Sequence, residues 1–487
     1  MNEIHASLDL LFKPRTVAIY EAKEKLSYFI LGFQTMGFNM DNLFLINRTE
    51  EEVLGFRCYK SITDIPVETI DLLILAVGRN SVVESMKELI VAKSINFIHI
   101  FTAGTGEFDE KGLEVERELK QILDDNPKIK AIGPNCMGVY CPEGHNAYLP
   151  IFPKENGNIG LIFHSGDLHT RAALYGYSRY GLTFSKGVSV GNCISLKVTD
   201  FLEYLGNDEA TDMIGVYFEG FSRYEESEGR KLIELAKKIK KPILFMRGGV
   251  TKRAQAAVLT HTGSLGSNDK IWKGAFKQTP LVEVGSSLDE MVDYLYIFSM
   301  FIKRYKNLKF NELLKKFPKT KDALVILWSG GLGILDTDTL TKLGVNLPEF
   351  TGKSKERLLE IYPIRVGSLS NPLDLPWVSR SDKYLEVCKA ATEENVDLVV
   401  MHTNAWGMRD KDRFKSYYDN LKKIRGHVES LDKILVMILA EAPIKYRRQY
   451  YELLISDGFI VYPDLTRAAK SFLALHEYGK NIMRLHH

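Results

Sequence analysis

One histidine of the chain lies among small hydroxyl and glycine residues, in the run Thr260-His261-Thr262-Gly263-Ser264, shortly before a predicted helix. This composition leaves little packing bulk around the imidazole and provides several backbone N–H donors. An imidazole nitrogen is a competent nucleophile near neutral pH, and backbone N–H groups stabilise phosphoryl oxygens. The pattern makes His261 a candidate phosphoryl acceptor. An ordinary loop histidine is the alternative that the spacing alone leaves open.

A carboxylate stands at the end of a predicted buried strand, in the run Tyr217-Phe218-Glu219-Gly220. A carboxylate in such a place needs a partner or acquires a raised pKa, and both situations are frequent at functional sites. Glu219 is therefore a candidate for a group that supports the chemistry of another side chain. A solvated carboxylate at a strand end is the alternative.

A third candidate is the run His164-Ser165-Gly166-Asp167-Leu168, which follows the apolar strand Gly160–Phe163 and precedes an amphipathic stretch. The amphipathic stretch predicts a helix whose first N–H groups are open to an oxyanion or a phosphate. Ser165 is also a favourable N-cap residue, and the two interpretations are compatible.

Glycine-containing turns follow two predicted strands near the N-terminus, at 102–106 and 133–138. Ligands of parallel sheets bind beyond the carboxyl ends of strands, so these turns are candidates for ligand contact, although Gly and Pro are also ordinary turn residues. The first strand leads instead into Glu21-Ala22-Lys23, so the G-x-G-x-x-G fingerprint of dinucleotide-binding folds is absent there.

Short apolar runs rich in β-branched residues alternate with longer amphipathic stretches along the chain. Such runs predict parallel sheets that are covered by helices on both faces. The runs are Thr16–Tyr20, Leu43–Asn47, Ile70–Val77, Asn96–Phe101, Ile129–Gly133, Gly160–Phe163, Leu182–Val190, Met213–Phe218, Pro242–Arg247, Ala323–Trp328, Val396–His402 and Ile434–Ala440. A Pro-, Gly- and Asn-rich stretch at 142–158 and a Lys/Arg-rich stretch at 303–321, which we interpret as a linker, divide them into three α/β domains.

The composition of the 487 residues is that of an ordinary globular protein, with a formal net charge of only +2. This balance gives no reason to expect a nucleic acid or a membrane as partner and favours a small molecule. The five cysteines form no C-x-x-C pair, and His145, His164, His169 and His402 lack metal-ligand spacing, so no metal site is predicted. The N-terminus lacks a signal-peptide core, and the most apolar helical stretch, 294–302, is too short to span a membrane. A cytoplasmic location follows as an expectation.

The order of the motifs resembles the ADP-forming acyl-CoA synthetases, relatives of succinyl-CoA synthetase. The matching runs are LFKPRTVAIY, GPNCMG, the strand before HSG, SVGN at 189–192, DFLEYL at 200–205, YFEGF, THTGSLGS and NPLDL at 371–375. The resemblance covers nearly the whole chain and is to the α subunit. It implies an α/β fold of three doubly wound domains: a Rossmann-like CoA-binding domain at 1–150, a flavodoxin-like ligase domain with the phosphohistidine at 151–305, and a second flavodoxin-like ligase domain at 320–487.

The resemblance also implies roles for individual residues. His261 is the phosphohistidine that moves phosphate between an acyl phosphate and ADP, and Glu219 orients and stabilises it. The resemblance implies that phosphate is bound by Ser165, Gly166, Gly263 and Ser264. It implies that coenzyme A and the acyl phosphate are surrounded by Glu21, Lys23, Arg48, Gly104, Asn135 and Cys136. The implied partners are a small carboxylic acid or its acyl-CoA and a separate ATP-grasp β subunit, which binds ATP or ADP with Mg²⁺.

Three positions depart from the pattern of the family. Glu21 replaces a glycine of the first turn, Arg48 follows Asn47 where the family has a proline, and Asp167 replaces a small residue at the start of the predicted helix. Because a carboxylate at Glu21 repels phosphates, we predict weak CoA binding. Two alternatives to the synthetase therefore stay open: a phosphohistidine enzyme with a substrate other than CoA, and a non-catalytic subunit that has kept the fold.

Overall fold

A computed structural model describes residues 3–254, 269–285, 287–362, 367–376, 383–405, 408, 410–440 and 443–486. The predictions for His261, Gly263 and Ser264 lie outside these residues. The chain divides into two compact units, Met1–Leu295 and Tyr296–His487.

The first sheet of the N-terminal unit has seven strands in the order β3-β4-β2-β1-β5-β6-β7. Its elements are α1 (Glu3–Phe12), β1 (Val17–Tyr20), α2 (Ser27–Met36), β2 (Leu43–Ile46), β3 (Glu52–Val53), β4 (Phe56–Tyr59), β5 (Thr69–Leu75), α3 (Val82–Ala92), β6 (Ser94–Ile100), α4 (Glu110–Asp125) and β7 (Lys130–Ile132). All neighbouring strands are parallel except β3 and β4. The five predicted runs of this region are all strands, because runs that are apolar on both faces become buried on both faces.

The second sheet also has seven strands, in the order β14-β13-β12-β10-β11-β8-β9. Its elements are β8 (Gly138–Cys141), β9 (Asn146–Ala147), β10 (Asn156–Phe163), α5 (Gly166–Tyr180), β11 (Phe184–Ser189), α6 (Val198–Asn207), β12 (Met213–Phe218), α7 (Glu228–Lys238), β13 (Ile243–Arg247), α8 (Asp269–Gln278), β14 (Val282–Val284) and α9 (Leu288–Arg304). Strands β8 and β9 are antiparallel additions at one edge, and the remaining strands are parallel.

The C-terminal unit contains a six-stranded sheet in the order β16-β17-β15-β18-β19-β20. Its elements are α10 (Phe310–Leu314), β15 (Ala323–Leu327), α11 (Gly330–Lys342), α12 (Gly352–Ile361), β16 (Ser368–Leu369), β17 (Leu373–Asp374), α13 (Tyr384–Thr392), β18 (Leu398–Thr403), α14 (Lys411–Ser430), β19 (Ile434–Leu439), α15 (Ile444–Ser456), β20 (Ile460–Tyr462) and α16 (Leu465–His486). The three predicted runs of this region are its central strands.

The Lys/Arg-rich stretch at 303–321 is packed rather than extended. It contains α10, and two of its lysines form ion pairs within the C-terminal unit, Lys316 with Asp432 at 2.6 Å and Lys321 with Glu477 at 3.0 Å. The cations are therefore matched locally by carboxylates. The domain bounds at 150, 305 and 320 stay predictions.

Three mostly parallel sheets with helices between their strands confirm the predicted α/β class. No helix within the described ranges is long and apolar enough to cross a membrane.

Candidate active site

Two of the predicted site residues follow neighbouring strands of the second sheet. In the parallel pair β10–β12, Phe163 lies opposite Tyr217. Ser165 and Glu219 each come two residues after that pair, so they share the carboxyl edge of the sheet. This is the edge at which parallel α/β sheets bind ligands.

Ser165 and Gly166 begin helix α5 at this edge. The Ser165 hydroxyl accepts a hydrogen bond from the N–H of Leu168 at 3.3 Å, which is an N-cap contact. A Cβ on Gly166 would lie 2.2 Å from Cγ of Met137, so packing against Met137 requires glycine at this position. The N-terminus of a helix of this length carries a partial positive charge and open N–H groups, which suit a phosphoryl group.

The Glu219 side chain is buried, with 8% of its surface exposed. Its carboxylate is hydrogen-bonded to Tyr217, and burial together with the charge of Glu219 raises the pKa of the Tyr217 hydroxyl. The backbone N–H of Glu219 donates to Nδ1 of His164 at 3.3 Å. Glu219 is thus a positioned carboxylate at the edge of the sheet and not a solvated one.

The end of β13 lies close to Glu219 and precedes the segment that contains His261. A Cβ on Gly248, just after β13, would lie 2.9 Å from the Tyr217 hydroxyl and 3.3 Å from Cγ of Glu219. Beyond residues 255–268, Asp269 begins α8 and accepts a hydrogen bond from Arg247 at 3.1 Å. Gly248, which precedes the segment by seven residues, and Asp269, which directly follows it, therefore both lie at the carboxyl end of β13, in the same sheet as Glu219.

The turn at 133–138 contains Asn135 and Cys136. Asn135 has a φ of 60° and its N–H donates to the carbonyl of Thr102 at 2.9 Å, so this turn packs against the turn at 102–106. The Cys136 thiol is buried and lies 3.8 Å from the carbonyl of Ile100, and burial raises its pKa. The buried Cys136 thiol therefore belongs to the packing of this turn.

Gly104 lies in a network that the sequence analysis missed. The Glu107 carboxylate accepts the N–H groups of Gly104 at 2.6 Å and Thr105 at 3.1 Å. The Asn192 amide lies 2.8 Å from Glu107 and 2.7 Å from the buried Glu116. The network joins the turn after β6 to the SVGN run after β11. The SVGN motif pointed to Asn192, but nothing in the local pattern distinguishes the two glutamates from surface charges.

Glu21, Lys23 and Arg48 lie at the carboxyl ends of β1 and β2, which are neighbours in the first sheet. Glu21 has a φ of 58°, in the region that favours glycine, and Lys23 forms an ion pair with it at 3.2 Å. Arg48 donates to the Tyr20 hydroxyl at 3.1 Å and to Glu88 at 2.6 Å. The three predicted residues are therefore brought to one edge.

Three other histidines that the sequence analysis considered have hydrogen-bond partners in the structure. His145 bonds to the carbonyl of Met36 at 2.8 Å, His169 to the Tyr148 hydroxyl at 2.6 Å and His402 to Asp336 at 2.6 Å. Across the part of the chain that the structure describes, no group of three His, Cys, Asp or Glu side chains is placed to hold a metal ion.

Two sequence families match this architecture. Residues 21–142 match the CoA binding domain, and residues 156–298 match the succinyl-CoA ligase like flavodoxin domain. The first sheet and the second sheet thus correspond to the CoA-binding and ligase parts of a succinyl-CoA-ligase-like protein.

Relatives refine this class. The chain is 29% identical over 485 residues to the α subunit of acetate–CoA ligase (ADP-forming) II of Pyrococcus furiosus, with 98% of each chain covered. It is 31% identical over 401 residues to acetate–CoA ligase (ADP-forming) I of Archaeoglobus fulgidus, of which it spans 54%. The chain belongs to the ADP-forming acyl-CoA synthetases, so the resemblance inferred from the motifs and the enzyme class that it implies are confirmed.

A solved structure of similar fold is that of the dinucleotide forming acetyl-coenzyme A synthetase 1 of Candidatus Korarchaeum cryptofilum, in complex with phosphate and ADP. The match has a TM-score of 0.79 at 23% identity and covers 98% of both chains. This likeness supports the fold.

Proposed function

We propose that the chain is the α subunit of an ADP-forming acyl-CoA synthetase and that it carries phosphate on His261. The reaction is acyl-CoA + ADP + phosphate to acid + ATP + CoA. The observation that supports this proposal is the pairing of the α5 N-terminus with Glu219 at one sheet edge, where Gly248 and Asp269 lie on either side of the His261 segment along the chain.

The chemistry divides into three transfers. A phosphate oxygen attacks the thioester carbonyl, which forms an acyl phosphate and releases the thiol of CoA. The imidazole of His261 then attacks phosphorus, and the carboxylate of the acid leaves. ADP finally takes the phosphoryl group from His261 to give ATP. Ser165, Gly166, Gly263 and Ser264 hold phosphoryl oxygens, while Glu219 orients the imidazole and stabilises its charged adduct.

CoA binds at the carboxyl edge of the first sheet in this proposal. Glu21, Lys23 and Arg48 line the ends of β1 and β2, and the turns with Gly104 and Asn135 face the reacting end. Lys23 lies 3.2 Å from Glu21 and offsets part of its charge. The domain therefore accommodates CoA phosphates less favourably than a glycine turn would, but without an unbalanced carboxylate.

The nucleotide step requires a second polypeptide, which we propose to be an ATP-grasp β subunit that supplies Mg²⁺ with ATP or ADP. This chain spans about half of the Archaeoglobus relative. The remaining half of that relative is long enough to contain an ATP-grasp part within one polypeptide. The acid is a small carboxylic acid. The five cysteines are all free thiols, which supports a reducing compartment such as the cytoplasm.

The direct test is ATP formation by the reconstituted complex. The chain, an ATP-grasp partner, acetyl-CoA, ADP, phosphate and Mg²⁺ should yield ATP and free thiol in equal amounts, and omission of either polypeptide should stop the reaction. Phosphorylation of His261 without turnover of any acyl-CoA would favour the alternative with a substrate other than CoA. Absence of both activities would favour the non-catalytic subunit.

A further inference from the structure

The base of the candidate site contains an imidazole that none of the proposed steps uses. His164 directly follows β10 and precedes Ser165, and its side chain is buried. Its ring contacts Glu219 on one side, at 3.3 Å from Nδ1 to the backbone nitrogen, and Cys193 on the other, at 3.7 Å from Nε2 to Sγ. A single side chain thus connects the start of α5, the end of β12 and the SVGN loop.

The contacts of this ring determine its tautomer. If Nδ1 is unprotonated, it accepts the N–H of Glu219, Nε2–H donates to Sγ of Cys193, and the thiol proton donates to the carbonyl of Gly191 at 3.5 Å. If Nδ1 carries the proton, it donates to the carbonyl of Tyr217 at 3.4 Å, and the buried N–H of Glu219 loses this acceptor. Because an unsatisfied buried N–H is costly, the first arrangement is favoured.

Burial also favours the neutral form of the ring. Burial lowers the pKa of His164, against the opposing effect of the Glu219 charge. A neutral ring with a fixed tautomer is a directional support, since it has one acceptor and one donor in fixed positions.

We propose that His164 is a positioning residue for Glu219, which it holds in register with the start of α5 through the Glu219 N–H → Nδ1 hydrogen bond. This inference rests on the proposed role of Glu219. Glu219 directly follows β12, so the position of its backbone sets where its carboxylate meets the phosphoryl group. Displacement of a reacting or supporting group by about 1 Å can cost about 10²-fold in rate.

Two substitutions separate the two sides of the ring. In His164→Asn the side-chain oxygen occupies the position of Nδ1 and can accept the Glu219 N–H, but nothing reaches Cys193. In His164→Gln the side-chain nitrogen reaches the position of Nε2 and the acceptor at Nδ1 is lost. We expect His164→Gln to slow phosphorylation of His261 by about tenfold or more and His164→Asn to stay within about threefold of wild type. The KM for ATP should change little in both.

His476→Gln provides a matched control. His476 is another buried histidine, bonded through Nδ1 to the carbonyl of Pro318 at 3.1 Å in the C-terminal unit. Its replacement should lower the unfolding temperature as His164→Gln does, without the loss in rate. Equal rates in His164→Gln and wild type, or an equal loss in His164→Asn and His164→Gln, would overturn the proposal.

A measurement on the wild-type chain covers the case in which a variant fails to fold. Nitrogen-15 NMR of labelled histidine should show His164 with Nδ1 unprotonated and Nε2 protonated. A protonated Nδ1 would overturn the proposal irrespective of activity. If wild-type His261 is not phosphorylated at all, the proposed function fails, whereas the tautomer still tests the role of His164.

Discussion

The turns that follow β10 and β1 stand in equivalent places and are built in opposite ways. Both strands are central in parallel sheets. After β10 only His164 and Ser165 precede the helix α5, and Ser165 caps it. After β1 the helix α2 begins only at Ser27, and its N-cap residue Leu26 provides no side-chain cap. The turn after β10 presents an organised helix start, and the turn after β1 presents exposed charges.

The same contrast holds for the two carboxylates that depart from the family. Asp167 is exposed and pairs with Arg171 at 2.7 Å on the surface of α5. Glu21 takes a φ of 58° and pairs with Lys23 in the turn itself. One departure lies beside the proposed phosphate site without altering its backbone, whereas the other lies in the backbone of the turn that we propose CoA approaches. We therefore expect phosphoryl transfer to be intact and CoA binding to be weakened.

The largest effect should come from His261→Ala. With the partner and labelled ATP, the wild-type chain should become a phosphoprotein that is labile to acid and stable to base, because phosphate on an imidazole nitrogen behaves in this way. The variant should carry no label. Label that persists in the variant would place the phosphoryl group on another residue and remove the central assignment.

Glu219→Gln should lower phosphorylation and overall turnover by about 10². The substitution keeps the size of the side chain and removes its charge, so the hydrogen bond from Tyr217 can remain while the imidazolium-like adduct loses its counter-charge. Single-turnover labelling measures the rate. Wild-type rates would show that Glu219 is structural and that only the helix start contributes on this side of the comparison.

Glu21→Gly should improve CoA affinity by about tenfold, measured by calorimetry. Two unit charges 4 Å apart interact by about 4 kcal/mol at an effective dielectric constant near 20, and Lys23 offsets part of this repulsion. Since about 1.4 kcal/mol corresponds to tenfold, a modest residual repulsion is sufficient.

Glu21→Gln serves as the control for this substitution. It removes the charge and keeps a side chain at positive φ, so it separates repulsion from backbone geometry. Micromolar CoA affinity in the wild-type chain, unchanged by either substitution, would contradict the predicted weakening and would make the two turns equivalent in function.

The sequence analysis was most accurate where a local run of apolar residues indicates a buried strand. Met213–Phe218 is a strand with the predicted bounds, and the other apolar runs differ from their strands by one to a few residues. Eight short strands of two to four residues at or next to the sheet edges were missed, because such short runs carry no clear pattern: β3, β4, β8, β9, β14, β16, β17 and β20.

Some residues of the candidate site were likewise predictable from the sequence, and others were not. The placement of Ser165 and Glu219 follows from strand ends in one sheet and was predictable. The network of Glu107, Glu116 and Asn192 and the contacts of His164 join residues far apart in the chain, so no local pattern contains them. The left-handed conformation of Glu21 was visible only as a departure from glycine.

Asp167→Asn should have the smallest effect. It tests the expectation that phosphoryl transfer is intact despite this carboxylate. Its carboxylate pairs with Arg171 one turn further along α5, with its side chain largely exposed, so solvent screens its field. A screened charge of this kind repels a phosphoryl group weakly. The carboxylate also interacts favourably with the positive end of the helix dipole. These opposing contributions should leave the phosphorylation rate within about twofold of wild type and the unfolding temperature within about 2 °C. A tenfold faster phosphorylation in Asp167→Asn would mean that Asp167 faces the phosphoryl site during turnover, and the contrast between the two carboxylates would then be lost.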